Sequence, residues 1–91
     1  MIRAKDGFWI EKMMDGYLIV ATGKSAESFN AMIQTNETGA FYWNMIEKGT
    51  SVEKLTRAAM NRFEDVDEVT AVHDIEVFLE SISPAVDIVE G

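Results

Sequence analysis

Residues 36–49 read NETGAFYWNMIEKG, and both ends of this stretch carry signals that bound a helix. Asn36 stands at its start, where an asparagine side-chain oxygen accepts a hydrogen bond from an otherwise unpaired backbone N–H. Glu37 suits the positive end of the helix dipole, and Gly49 stands where a glycine commonly ends a helix. The stretch therefore predicts a helix of about three turns.

The residues before this helix predict three antiparallel strands. Residues 8–14 and 17–22 are rich in apolar side chains and flank Asp15 and Gly16, a pair that tolerates the positive φ of a tight hairpin turn. After a polar loop, residues 29–35 predict a third strand that ends at the helix cap. The simplest arrangement is a three-stranded meander.

The residues after this helix predict two more helices, both amphipathic. Thr50 and Glu53 have the spacing of a capping box at the start of the second helix. The third helix is predicted from near Asp67 to about Ser81, and Pro84 ends it. The apolar positions of the second helix are Val52, Leu55, Ala58, Ala59 and Phe63, and those of the third are Ala71, Val72, Ile75, Phe78, Leu79 and Ile82.

The order of these elements indicates one α+β domain over residues 1–91, with a three-stranded N-terminal sheet followed by three helices. The chain has 47% hydrophobic and 26% charged residues, which are ordinary values for a globular domain. Neither repeats nor linker-like tracts divide it. For residues 85–91 the pattern leaves two alternatives open, a short strand or an ordered extension.

The residue inventory argues against an enzyme and against a metal or organic cofactor. With no cysteine and a single histidine, His73, the chain has no thiolate nucleophile and no site that needs two imidazoles. The acidic run at residues 64–68 lacks the spaced oxygen ligands and central glycine of a calcium loop. We therefore expect no catalytic residues, no metal and no bound cofactor, and His73 on the polar side of the third helix.

The charge and hydropathy of the chain limit its partners and location. The formal net charge is −8, and the predicted third helix has no Lys or Arg, which disfavours nucleic acid because binding to phosphates depends on those residues. No apolar run approaches the ~18 residues of a membrane span, and the N-terminus lacks the apolar segment of a secretion signal. A cytoplasmic protein without a membrane partner is expected.

Four motifs, in this order and spacing, resemble the family of pyrroloquinoline quinone biosynthesis protein D. They are the three N-terminal strands; Asn36-x-Thr38-Gly39-x-x-x-Trp43; Gly49-Thr50-Ser51-x-Glu53-x-Leu55; and Asp74-Ile75-x-x-Phe78-Leu79-x-x-Ile82. Members of this family are peptide-recognition elements for ribosomally made, enzymatically modified peptides. The resemblance thus implies a winged-helix-like fold that binds a precursor peptide and presents it to a modifying enzyme, by analogy a radical-SAM enzyme.

The resemblance also implies where the peptide binds. In such proteins the leader segment of the precursor adds to the exposed edge of the third strand, in a groove shared with the third helix, a mode in which unpaired backbone groups of the edge bind the incoming strand. The implied edge residues are Asn30, Ala31, Met32, Ile33, Gln34 and Thr35, and the implied helical wall residues are Val72, Ile75, Phe78 and Leu79.

Three alternatives stay open at the level of sequence. The predicted architecture also fits a small winged-helix DNA-binding transcriptional regulator, although an acidic third helix is a poor DNA reader. A purely structural subunit is the second alternative. The third concerns assembly, because the exposed strand edge could pair with a second copy to form a homodimer.

Overall fold

The structure is a computed structural model that describes residues 1–21 and 32–88. Its elements are β1 (Ile2–Ala4), β2 (Phe8–Met13), β3 (Gly16–Ala21), β4 (Ile33–Thr35), α1 (Glu37–Lys48), α2 (Val52–Arg62), α3 (Glu68–Ser81), a short 3₁₀ helix (Ser83–Ala85) and β5 (Val86–Ile88). The predicted α+β class, with a three-stranded antiparallel sheet followed by three helices, is confirmed.

The main sheet has the order β2-β3-β4, with both pairs antiparallel. Its hairpin turn lies one residue earlier than predicted, because Met13 pairs with Gly16 and leaves Met14 and Asp15 as the turn. Neither turn residue has a positive φ, whereas Gly16 has φ 145°. A Cβ at Gly16 would lie 2.8 Å from the carbonyl oxygen of Thr35, so this glycine is needed for close strand approach as well as for its φ.

The third strand of this sheet is shorter in the structure than the predicted strand of residues 29–35. The described strand is Ile33–Thr35, and Met32 precedes it. Residues 29–31, including the predicted edge residues Asn30 and Ala31, lie outside the described residues.

A second sheet, which the sequence did not predict, joins the two ends of the described chain. β1 pairs antiparallel with β5, so that Ile2 lies opposite Ile88 and Ala4 opposite Val86. Of the two alternatives for the tail, the strand is thereby the one found for residues 86–88, and residues 89–91 lie outside the described residues. Three residues are too few for alternation to stand out in the sequence, and the pairing depends on a partner more than eighty positions away.

The helix boundaries follow their predicted caps at α1 and α3. The Asn36 Oδ1 atom accepts a hydrogen bond from the Gly39 N–H at 2.9 Å, and Gly49, with φ 87°, donates to the Ile46 carbonyl. At α3, the Asp67 carboxylate accepts from the Thr70 N–H at 2.8 Å. These contacts satisfy backbone groups that a helix terminus leaves unpaired.

The predicted cap of α2 is wrong by one residue. Ser51, and not Thr50, accepts a hydrogen bond from the Lys54 N–H, at 3.1 Å. Thr50 instead pairs with β1, because its N–H and C=O exchange hydrogen bonds with Ile2. This pairing buries the Thr50 side chain and removes it from the capping position.

The core lies between the main sheet and the helices. Its largest fully buried side chains come from β3, all three helices and the residue after α3: Ile19, Trp43, Ile46, Leu55, Ile75 and Ile82. α1 packs on the end of α2, where Phe41 and Phe63 meet edge to face at 5.8 Å. The Arg62 guanidinium lies 5.2 Å from the centroid of the Phe41 ring.

None of the helices in the described ranges is both long enough and apolar enough to cross a lipid bilayer.

Substitutions at residues 50 and 51 distinguish the two capping assignments. Ser51→Ala should lower the free energy of unfolding by about 1 kcal/mol, because the Lys54 N–H loses its acceptor. Thr50→Val should leave the stability unchanged or raise it, because the buried Thr50 hydroxyl has no hydrogen-bond partner among the described residues. Urea unfolding measures both, and a larger loss at residue 50 would contradict the assignment of Ser51.

Candidate functional site

The edge of the main sheet at β4 is the first component of the candidate site. Among the described strands β4 pairs with β3 alone, so the backbone groups on its other side have no strand partner there. Ile33 and Thr35 are half-buried on the core side, where Ile33 is paired with the fully buried Ile19, and Gln34 is exposed on the outer side. An added strand would meet the core side with every second residue.

The second component is a close approach between this edge and the first turn of α1. A Cβ built on Gly39 would overlap the Thr35 hydroxyl and lie 2.9 Å from the Thr35 Cβ. The same Cβ would lie 3.0 Å from Cε1 of Phe78 on α3. Gly39 therefore marks the point where the sheet edge, α1 and α3 converge, and it explains why a weak helix former stands inside a helix.

The aromatic side chains beside Gly39 lie where the β4 edge meets α3. The rings of Tyr42 and Phe78 lie 5.7 Å apart at an angle of 49°. Tyr42 is buried, whereas Phe78 is half-buried and lies beside the edge. Phe78 is thus the side chain by which α3 approaches β4.

Asp74 brings a charge to the flank of α3 that carries Phe78. It is exposed and lies one helical turn before Phe78, on the same flank of α3. Burial, and secondarily the negative charge of Asp74, raise the pKa of Tyr42 above its ordinary value. Asp74 therefore lies within electrostatic reach of the Tyr42 hydroxyl.

The structure places the predicted wall residues in three different environments. Phe78 faces the edge, as described above. Ile75 and Leu79 are buried in the core, which leaves them little surface for a ligand. Val72 lies on the opposite flank of α3 and lines a hollow of about 430 Å³ between α2 and α3.

The predicted edge residues are distributed as follows. Met32 is 66% exposed, and Ile33, Gln34 and Thr35 form β4. A second hollow, of about 680 Å³, lies at the turn end of the sheet and is lined in part by Gln34 and Thr35. His73 is exposed, as predicted.

Sequence reasoning missed three residues of this site: Gly39, Tyr42 and Asp74. Gly39 had been assigned only to a motif, although a glycine in the first turn of an otherwise strong helix indicates a close backbone approach. Asp74 and Phe78 have the i, i+4 spacing that places two side chains on one helix flank. Tyr42 follows Gly39 by three residues and so lies on the same face of α1.

Family membership is shown by a match over most of the chain. The family described as Coenzyme PQQ synthesis protein D (PqqD) matches residues 16–83, which span β3 through the start of the 3₁₀ helix. The chain belongs to this PqqD family. No curated protein sequence is significantly similar to it.

Two solved structures share the fold. One, described as TbiB1 in complex with the TbiA(beta) leader peptide, has a TM-score of 0.75 and 15% identity over 98% of this chain and 99% of that chain. The other, described as lasso peptide synthetase B1 complexed with the leader peptide, has a TM-score of 0.73 and 18% identity over 96% of this chain and 98% of that chain. The likeness extends over nearly the whole of each chain.

A side chain at Gly39, where β4, α1 and α3 converge, should destabilise the protein. Gly39→Ala should lower the free energy of unfolding by about 1–3 kcal/mol, because the new methyl group overlaps Thr35. Thermal or urea unfolding measures the loss. Adding Thr35→Ala should restore part of it, because the overlapped hydroxyl is removed while the Thr35 Cβ remains; a double variant no more stable than Gly39→Ala alone would contradict this origin of the strain.

The pKa of Tyr42 gives a test of its burial and of its proximity to Asp74. Because the pKa is raised in the folded state, Tyr42 contributes stability that is fully present below its ordinary pKa of about 10 and is lost as the pH rises through the folded pKa. Tyr42→Phe should therefore show a smaller decline in stability over that alkaline range. Tyrosinate absorbance should show that Asp74→Asn lowers the pKa of Tyr42; no change would contradict the proximity of Asp74.

Proposed function

We propose that this chain is a non-catalytic module that binds the leader segment of a ribosomally synthesised precursor peptide as a strand added to β4. The observation that carries the proposal is the β4 edge, which pairs with β3 alone among the described strands and lies beside α3 where Thr35, Gly39 and Phe78 converge. Membership of the PqqD family and the leader peptides bound in the two structures of the same fold support it.

In binding of this kind, affinity and specificity come from different groups of the protein. Backbone groups along the edge pair with almost any extended peptide, so the side chains beside them must select the sequence. The peptide-facing residues are proposed to be Met32, Ile33, Gln34 and Thr35 on the strand and Phe78 on the helix. Ile75 and Leu79 then act from the core by holding α3 in place, and Val72 acts on its α2 side.

The leader is the part of the precursor that is bound, so the linked core peptide remains free for a modifying enzyme. We propose a radical-SAM enzyme in this role, in the cytoplasm, with every cofactor belonging to that enzyme. A homodimer formed through β4 would occupy the same backbone groups and would therefore compete with the leader.

The DNA-binding alternative has no supporting observation. The exposed side chains of α3 include Glu68, Asp74, Glu76 and Glu80, and no Lys or Arg occurs on this helix. Such a helix would bring negative charge against the phosphate backbone.

Amide shift mapping tests the proposed binding mode. Candidate leaders are the N-terminal parts of short reading frames beside the gene. On titration with the true leader, the largest shifts of the labelled protein should fall in β4 and around Phe78. Met32→Asp should weaken binding by about tenfold, since an exposed neighbour of the edge becomes charged while the backbone is kept.

Two further variants extend this experiment, and the second is its control. Backbone groups alternate in direction along an antiparallel strand, and this register turns those of Ile33 and Thr35 toward β3 and those of Gln34 outward. Gln34→Pro therefore removes a backbone donor from the outer side of β4 and should abolish binding, provided that circular dichroism shows an intact fold. Lys54→Ala, on the exposed face of α2, should have no effect. Shifts confined to α2, with β4 unchanged, would refute the edge-binding mode.

A further inference from the structure

The flank of α3 beside β4 carries a charged side chain as well as an apolar one. Phe78 presents a half-buried ring next to Thr35 and Gly39, and Asp74 lies one turn earlier on the same flank. Within residues 1–21 and 32–88 the side-chain ion pairs are Lys5–Asp87 and Arg57–Glu53, and neither involves Asp74. The Asp74 carboxylate therefore has no cationic partner among the described residues.

The spacing of these two wall residues fits an extended peptide. Four residues of a helix advance by about 6 Å, and two residues of a strand advance by about 6.6–6.8 Å. Two neighbouring inward-facing side chains of a strand thus have nearly the separation of Asp74 and Phe78 along α3. Where the added strand runs along α3, one inward side chain can contact the ring while the next reaches the carboxylate.

We infer that this site selects leader peptides with a Lys or Arg two positions from a large apolar residue, the cation pairing with Asp74 and the apolar side chain packing on Phe78. The inference rests on the proposed function, because it names the chemistry of the segment that the β4 edge binds. The order of the two residues depends on the direction of the added strand. An acidic or wholly apolar segment would leave the Asp74 carboxylate unpaired at a site that the peptide has partly desolvated.

The overall charge of the chain makes a positional test necessary. At a net charge of −8 the protein attracts any basic peptide, whatever surface that peptide contacts. Attraction of this general kind depends on the number of cations and not on where they stand. Pairing with Asp74 instead requires a cation at one fixed distance from the apolar anchor.

The experiment is selection from a random dodecapeptide phage library against the immobilised protein. Wild type is compared with Asp74→Asn and with Glu80→Gln, a matched charge removal at an exposed position on the other flank of α3. Wild type and Glu80→Gln should both enrich Lys or Arg two positions from a Leu, Ile, Met or aromatic residue. Asp74→Asn should lose this spacing while keeping the apolar anchor.

Synthetic peptides from the wild-type selection then give affinities. The selected peptides should bind Asp74→Asn about fivefold more weakly than wild type, and they should bind Glu80→Gln with nearly the wild-type affinity. A peptide with Glu in place of the selected cation should bind Asp74→Lys better than wild type. Circular dichroism confirms that each variant is folded.

The outcomes separate the inference from the proposed function. Selected peptides that shift the amides of β4 but show no fixed cation spacing, or that bind Asp74→Asn as well as wild type, would overturn the inference and leave edge binding intact. Selected peptides that do not perturb β4, or a library that yields no binder, would count against the proposed function itself, and the inference would fail with it.

Discussion

The position of β4 depends on the close approach of Thr35 to two glycines. A Cβ on Gly16 would lie 2.8 Å from the Thr35 carbonyl oxygen, and a Cβ on Gly39 would overlap the Thr35 hydroxyl. A three-residue strand has few hydrogen bonds of its own, so these two close approaches compensate for its short length. The same contact at Gly39 brings Phe78 of α3 to the strand, and this arrangement has no room for another methyl group.

The packing of this edge affects how a peptide would bind. An edge that had to be ordered on binding would lose part of the interaction free energy to conformational entropy. Here the strand end is already placed against α1 and α3, and the Asn36 cap directly after it fixes the start of the helix. The extended peptide alone must then be ordered, which favours recognition of a flexible leader by a small domain.

The local features of the fold could be predicted from the sequence, and the long-range ones could not. Asn36, Gly49 and Asp67 predict helix ends because a cap is a contact between residues two or three positions apart. The pairing of β1 with β5 depends on residues at opposite ends of the described chain, and no local pattern encodes it. The misplaced cap of α2 has the same cause, because Thr50 has good local capping chemistry but is drawn into pairing with Ile2.

The candidate site follows the same division. Periodicity identified the apolar stripe of α3 and so found Phe78, but it also selected Ile75 and Leu79, which are core residues, and Val72, which faces α2. Periodicity shows which side chains of a helix are apolar. To locate a site, one must also know which flank of that apolar stripe meets another element. That information comes from Gly39, because a Cβ at this position would approach both Thr35 of β4 and Phe78 of α3. The flank of α3 beside β4 is therefore the one that carries Phe78 and its charged neighbour Asp74.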